Sequence, residues 1–351
     1  MGRQGFSGRA AVAGVGMTSL SRASGKSVLE LAVEASTAAI VDAGLTPRDV
    51  DAVLTYHLGD SVPVVYLARA LGLDRIGWHN EIHGGGSQCA SILGDAAMLV
   101  EAGVARTVLV YRALNGRSGP RMGQVPLRVG DGAESQFTLP YGMLGPVHLF
   151  ALAAQRYVAE SGVDLADVVL RSRAAAAGNP RALRRTPMTR DDYLASPMVA
   201  SPLRRADCCQ ETDGACALVV TAADRAPGSP RVHAVVRGGG PGSSAMDKAD
   251  DIGRIFSAYV APALYDAAGM KPDDIDVALL YDAYSFLVPR QQEDFGLDAA
   301  VPVNPHGGLL SEGYVHGLNN VAEAVRQVRA GAGTALCTGF GGSYGSAAVL
   351  L

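Results

Sequence analysis

Glycine runs, cysteines and a stretch of arginines are the residues of this chain whose types and spacing could do chemistry. Gly341-Gly342-Ser343-Tyr344-Gly345 fits the G-x-S-x-G pattern of a serine nucleophile, and His83-Gly84-Gly85-Gly86 fits an oxyanion loop. In that arrangement the acid and the histidine follow the serine in the chain. Only six residues follow Gly345 and none is Asp, Glu or His, so chain order excludes a serine hydrolase. Gly14-Val15-Gly16 is a fragment of a dinucleotide fingerprint without its third glycine, and reads as a strand-to-loop turn. The Gly84-Gly85-Gly86-Ser87 run stands directly before a small-residue helix pattern, Ala90 to Gly103. Bare glycines let a ligand approach the backbone, and a helix start offers unpaired N–H groups and the positive end of the dipole. That suits an oxyanion such as a thioester enolate; the other reading is a tight packing turn.

Cys89, Cys208, Cys209, Cys216 and Cys337 are odd in number, and no CxxC or Cys/His spacing suggests zinc. The expectation is a reduced protein without a structural metal or a cofactor of its own. Six arginines fall between Arg181 and Arg205; Arg181, Arg184, Arg185 and Arg190 could bind phosphates or form a solvated surface patch. A net charge of -4 gives no global attraction for nucleic acid or an anionic membrane. Met1 to Gly14 has no sustained apolar run of the signal type, and no segment approaches the ~18 apolar residues of a membrane span. The expected location is cytoplasmic. Glycine is in excess, at 43 of 351 residues, and tyrosine supplies 12 of the few aromatics.

These groups must be held by elements that the hydrophobic pattern predicts. Ala10 to Val15 reads as a strand and Val28 to Ala43 as a helix ended by Gly44. Asp49 to Tyr56 then reads as a turn feeding a buried strand. Asp42 to Tyr56 recurs as Ala267 to Tyr281 at an offset of 225 residues. Ala90 to Gly103 followed by Thr107 to Tyr111 recurs as Val321 to Gly331 followed by Thr334 to Thr338. Two echoes at nearly one spacing imply a duplicated α/β fold, its halves packing their sheets on a shared helical layer. The halves are placed at 1–225 and 226–351. Between them, about Asn115 to Arg205, the periodicity is poorer and reads as a long excursion over the active face.

The duplicated plan, Asp207-Cys208-Cys209-Gln210-Glu211-Thr212-Asp213-Gly214-Ala215 and Leu336-Cys337-Thr338-Gly339-Phe340-Gly341-Gly342 resemble the thiolase superfamily nearly end to end. Pro202-Leu203-Arg204 and Ala113 to Gly119 resemble its lipid-transfer-protein-like branch, especially steroid side-chain-cleaving aldolases. The resemblance implies an α/β, five-layered αβαβα fold with a long loop-domain insertion, a homodimer, and an acyl-CoA substrate. It also implies a small zinc-ribbon/OB-fold partner, as in a heterotetramer, with any metal belonging to the partner.

Departures from the family are informative. By its spacing the nucleophilic cysteine position is Gly86, and Cys89 lies about one turn further on, where it reads as a buried small residue. Two polar catalytic motifs correspond to Tyr281-Asp282-Ala283-Tyr284 and Gly313-Tyr314-Val315. Two tyrosines in place of amide or imidazole, without the nucleophile, argue against chemistry through an acyl-cysteine. They fit a carbon–carbon lyase: retro-aldol cleavage of a β-hydroxyacyl-CoA to a ketone or aldehyde plus a shorter acyl-CoA such as propionyl-CoA or acetyl-CoA. Tyr281 and Tyr314 are then the acid/base pair, and N–H groups near Gly86 or Gly342 hold the thioester oxygen. Cys337, His306 and His316 are supporting groups, and Arg181, Arg184 and Arg185 candidates for the CoA phosphates. Asp282 and Asp213 read as structural. The alternatives are an acyltransferase using Cys89 and Cys337, and a non-catalytic scaffold or lipid carrier.

Overall fold

The computed structural model describes residues 6, 8–119, 121, 137–240, 251–342 and 344–351; Ser343 and part of the 115–205 excursion lie outside them. In the first half, strands β1 (Ala10–Met17), β2 (Ala52–His57), β3 (Trp78–His83) and β4 (Thr107–Asn115) alternate with helices α1 (Val28–Asp42), α2 (Val64–Leu71) and α3 (Ser91–Glu101). After β4 come α4 (Pro146–Ser161), α5 (Leu165–Ala177), α6 (Arg190–Ala195), the short hairpin β5 (Met198–Ala200) and β6 (Leu203–Arg204), and β7 (Asp213–Ala222). The second half runs β8 (Val232–Gly238), α7 (Ser257–Ala268), β9 (Val277–Leu279), α8 (Leu287–Asp294), α9 (Gly308–Ser311), α10 (Leu318–Arg329), β10 (Ala335–Phe340) and β11 (Gly345–Leu350).

The two large sheets repeat one plan. The first has strand order β1-β7-β4-β2-β3 and the second β8-β11-β10-β9. In each, the strand after the small-residue helix (β4, β10) pairs antiparallel with β7 or β11 and parallel with β2 or β9. Among the described residues the second sheet has no full counterpart of β3; a parallel bridge from Ala278 to Val303 stands at that edge. Helices α3 and α10 lie between the sheets: α3 packs on β4 and β7 on one side and on β8 and β11 on the other, while α10 touches β1, β7, β9 and β10. With α1 and α2 outside the first sheet and α7 outside the second, the layers are αβαβα.

Small residues allow this close stacking. Gly94 faces Val235 from inside α3, where a Cβ would come within 3.1 Å of the valine methyl. Gly14 and Gly16 correct the expectation of a turn: both lie within β1, which continues to Met17. A Cβ on either would overlap the α1 backbone at Ala39 and Ala35, so these glycines let the helix lie directly on the strand. A second correction concerns the excursion. Much of it is regular helix, with α4 burying Phe150, Ala151, Ala153, Ala154 and Tyr157 against the core. Among the described residues, no helix is long and apolar enough to cross a membrane.

Candidate active site

Tyr281 sits just past the end of β9, and its backbone is pinned from both sides. Its N–H donates to Thr338 Oγ1 at 2.8 Å, and its carbonyl accepts from Gln291 Nε2 at 2.9 Å. Thr338 in turn donates to Gln291 Oε1 at 2.6 Å, closing the ring of bonds between β10 and α8. Tyr314 arrives from the opposite side, before α10. Thr212 holds it through one hydroxyl, which accepts from Tyr314 N–H at 3.1 Å and donates to its carbonyl at 2.8 Å. The phenols meet at 2.7 Å between their oxygens, their rings inclined at 68°. Tyr281 is buried and Tyr314 partly buried, so Tyr314 is the more accessible of the pair.

Gly86, the position of the expected nucleophile, lies against this pair. A Cβ at Gly86 would overlap the Tyr281 hydroxyl, so the phenol fills the space that a side chain there would need. At an offset of 228, which aligns β4 with β10, Gly86 corresponds to Tyr314 and Cys89 to Gly317. The starts of the two central helices therefore face each other across the site. Gly317 makes this possible: a Cβ on it would come within 2.8 Å of Cys89 Sγ and 2.9 Å of the Tyr281 ring.

Burial pushes both phenols well above the ordinary tyrosine range, and they act on each other in opposite directions. After burial, the charge of Tyr314 raises Tyr281 further, while for Tyr314 the bond from Tyr281 acts downward against burial and Cys209. Neither oxygen is a standing phenolate at neutral pH. What the arrangement can do is pass a proton along two hydroxyls, each accepting as the other donates.

The other expected residues fall into three places. Cys89 is fully buried, its thiol donating to the Thr338 carbonyl at 3.6 Å, and burial holds it protonated far above neutral pH. Cys337 is buried within β10 and pushed up to about 12 by burial. Gly342 lies in the turn between β10 and β11 at φ 88°, beside Gly341, where a Cβ would come within 3.1 Å of Ser87 Oγ. The two glycine segments thus adjoin. His306 is buried behind the pair, with Nε2 3.1 Å from Asn320 Oδ1 and 3.7 Å from the Glu312 carboxylate. That carboxylate also accepts from Asn179, Asn319 and Arg181.

Arg181 bridges Glu312 at 3.1 Å and Glu323 at 2.7 Å, which ties the excursion to α10. Arg184 donates to Gln210 Oε1 at 2.6 Å; burial, and after it the like charge of Arg173 with smaller effects of Arg22 and Arg205, brings it down to about 10. Arg184 therefore stands in a positive neighbourhood, and Arg185 is exposed. Asp282 accepts from the N–H groups of Leu309 and Leu310 at the start of α9, and Asp213 accepts from Ser24, Arg117 and Ser118.

His316 has the most elaborate surroundings. Its ring stands edge-on to Tyr314 with centroids 4.9 Å apart. Nδ1 accepts from Arg112, at 2.7 Å from Nη2 and 3.2 Å from Nε, and Arg112 binds Asp60 at 2.6 Å. Sequence reasoning missed Arg112 and Asp60. The signal was present: Arg112 is the one charge in the otherwise apolar run Val108 to Leu114, and a buried strand does not carry a cation without a use.

No protein-family model matches the chain. It is 38% identical to a 17-hydroxy-3-oxo-4-pregnene-20-carboxyl-CoA lyase of Mycobacterium tuberculosis, over 92% of each chain. It is also 38% identical to a steroid side-chain-cleaving aldolase of Thermomonospora curvata, over 92% of this chain and 90% of that one. Among solved structures, an Ltp2-ChsH2(DUF35) aldolase superposes with a TM-score of 0.89 at 35% identity, covering 98% of this chain and 97% of that one. Human mitochondrial 3-ketoacyl-CoA thiolase shares the fold at a TM-score of 0.76 and 16% identity, over 99% of both chains.

Proposed function

The chain belongs to the steroid side-chain-cleaving aldolases of the thiolase superfamily, and from that premise we propose that its paired phenols carry the proton through a retro-aldol cleavage. It is a carbon–carbon lyase acting on an acyl-CoA. As the Cα–Cβ bond breaks, its electron pair moves into the thioester as an enolate and the β-oxygen becomes a carbonyl. The β-hydroxyl proton goes to Tyr314 Oη, the Tyr314 proton to Tyr281 Oη, and the Tyr281 proton to Cα. Both phenols end as they began, and no oxygen has to exist as a free phenolate. Backbone N–H groups of the adjoining Gly86 and Gly342 segments hold the thioester oxygen. The observation that carries this reading is the 2.7 Å contact between the phenols, with Tyr281 filling the side-chain space of Gly86.

The substrate class follows from the similar lyase: a β-hydroxyacyl-CoA on a steroid-like ring system, released as a ketone with a shorter acyl-CoA such as propionyl-CoA. Coenzyme A enters as part of the substrate, and the reaction asks for no cofactor on this chain. Its phosphates meet the positive neighbourhood of Arg184; Arg181, already paired with two carboxylates, braces that loop, and Arg185 faces solvent. We place the enzyme in the cytoplasm as a homodimer with a small zinc-ribbon/OB-fold partner. Exposed Phe137, Tyr141, Leu144 and Leu152, before and along α4, offer such a partner an apolar face.

The test is turnover of 17-hydroxy-3-oxo-4-pregnene-20-carboxyl-CoA by the chain expressed with its partner. Tyr281→Phe and Tyr314→Phe should each lower kcat by about 10²–10⁴. Full turnover by both variants would overturn the assignment. An acyl adduct on cysteine by intact mass would instead favour the acyltransferase reading.

A further inference from the structure

The buried array behind Tyr314 has more organisation than packing requires. Arg112 lies in the middle of β4 with its side chain entirely buried. Its guanidinium uses Nη1 on the Ala113 carbonyl at 2.7 Å, Nη2 on Asp60 at 2.6 Å, and Nε with Nη2 on His316 Nδ1. Among the described residues only Asp60 answers its charge, and that carboxylate is 29% exposed, so water screens the anion more than the cation. Two donors converging on Nδ1 make it an acceptor, which leaves the ring neutral with its proton on Nε2. His316 itself is a non-glycine residue at φ 47°, and its carbonyl accepts from Tyr56 Oη at 2.9 Å. The guanidinium also lies 5.7 Å from the Tyr56 ring centre. A strained turn is thus held from three sides, and it joins Tyr314 to Gly317, the two residues that bracket Tyr281.

We propose that Arg112 is a positioning residue of the retro-aldol reaction: anchored by Asp60, it fixes the His316 turn that presents Tyr314, and its buried charge eases release of the Tyr314 proton to Tyr281 as the β-hydroxyl proton arrives. The proposal rests on the phenol relay described above. Burial, followed by Arg112, holds His316 below the ordinary imidazole range, so the histidine transmits position and field without titrating. The charged and titratable groups facing Tyr314 are Tyr281, His316, Cys209, Arg112 and Asp60, with Glu211 bridged to its backbone and Tyr284 and Tyr56 nearby. Among them Arg112 is the cation.

The experiment places 3-fluorotyrosine at position 314 and follows its ionisation by 19F NMR, in the otherwise unchanged chain, in Arg112→Met and in Asp60→Asn. Loss of the cation should make ionisation at least about tenfold harder, and loss of the opposing carboxylate should make it easier by a similar factor. In turnover, Arg112→Met should lower kcat about 100-fold with KM little changed, and fluorotyrosine at 314 should recover part of that loss. Asp60→Asn should move the alkaline limb of kcat to lower pH. Identical 19F titrations in all three backgrounds would overturn the electrostatic role, whatever the reaction proves to be. Absence of turnover by the unmodified chain would instead sink the retro-aldol reading. Should Arg112→Met fail to fold, Asp60→Asn alone decides, because its shift has a fixed sign.

Discussion

Tyr281 and Tyr314 together do what neither could do alone. A phenol raised above its usual range by burial is a poor acid and scarcely ionises to serve as a base, yet it becomes useful when accepting one proton is coupled to releasing another. The sign of the pH dependence follows. Both phenols must be protonated for the relay, burial keeps them so beyond the ordinary ~10 of tyrosine, and His316 stays neutral down to well below its ordinary range. We expect kcat to stay level from about pH 6 to 9 and to fall only at still higher pH. A bell centred near 7 in a pH–rate profile would assign the chemistry to other groups. Gly86→Ala tests the same contact sterically. The added methyl overlaps the Tyr281 hydroxyl and must displace it, at a cost of about 1–3 kcal/mol in stability. Its kcat should fall at least as far as that of Tyr281→Phe, with melting temperature and single-turnover rate measured side by side.

At the scale of elements, the site depends on junctions between segments far apart in sequence. Asp213 is the clearest case. Buried at the start of β7, it accepts the N–H groups of Ser24, Arg117 and Ser118 and the Ser118 hydroxyl, tying the loop before α1 to the end of β4. Burial opposes its ionisation, but those bonds outweigh it and lower its pKa. The stability it contributes is therefore present above the unfolded value of ~3.9 and disappears as pH falls through the lower folded value. Asp213→Ala should cost about 3 kcal/mol in urea unfolding at pH 7 and much less near pH 2. Equal costs at both pH values would contradict this account. Tyr281 and Tyr314 were singled out only through the resemblance to the thiolase superfamily's motifs, whereas the duplication and the central helices were legible in the sequence because repeats and hydrophobic period are local signals. The fixing of Gly14 and Gly16 under α1 was not, since it depends on which helix crosses β1. The Asp60–Arg112–His316 array was hidden for the same reason: its members are 52 and 204 residues apart, and only the out-of-place charge in β4 hinted at it. The helices of the excursion escaped notice because loops rich in proline and arginine flank them.

For the molecule as a whole, the proposed homodimer rests on one edge. β3 is the last strand of the first sheet, paired along its length only with β2, from Ala52–Trp78 to His57–His83. Its side chains are exposed at Trp78, His79, Asn80, Glu81 and His83, with α2 against one face through the bond from Val64 N–H to the Glu81 carboxylate at 2.8 Å. A strand with free backbone groups and a half-exposed tryptophan invites a further strand. A second copy related by a two-fold axis would supply one, running antiparallel to its mate and joining two five-stranded sheets into one. Among the described residues the second sheet has at the equivalent place the Ala278–Val303 bridge and no long edge strand, so the expected pairing uses the first half. Trp78 and Gly84 donate their N–H groups to the Asp51 and His57 carbonyls on the β2 side, so the N–H of His79 faces the open edge, and His79→Pro removes that outward donor without touching the catalytic tyrosines. In the homodimer proposed here it should convert the chain to monomers in sedimentation velocity, with a loss of thermal stability that depends on protein concentration in the parent and not in the variant. A parent chain that sediments as a monomer, or a variant that stays dimeric, would place the contact elsewhere. Because β3 runs straight into Gly84–Gly86, joining the two edges would also stiffen the glycine segment that faces Tyr281, and the monomeric variant should accordingly lose kcat more than it gains KM.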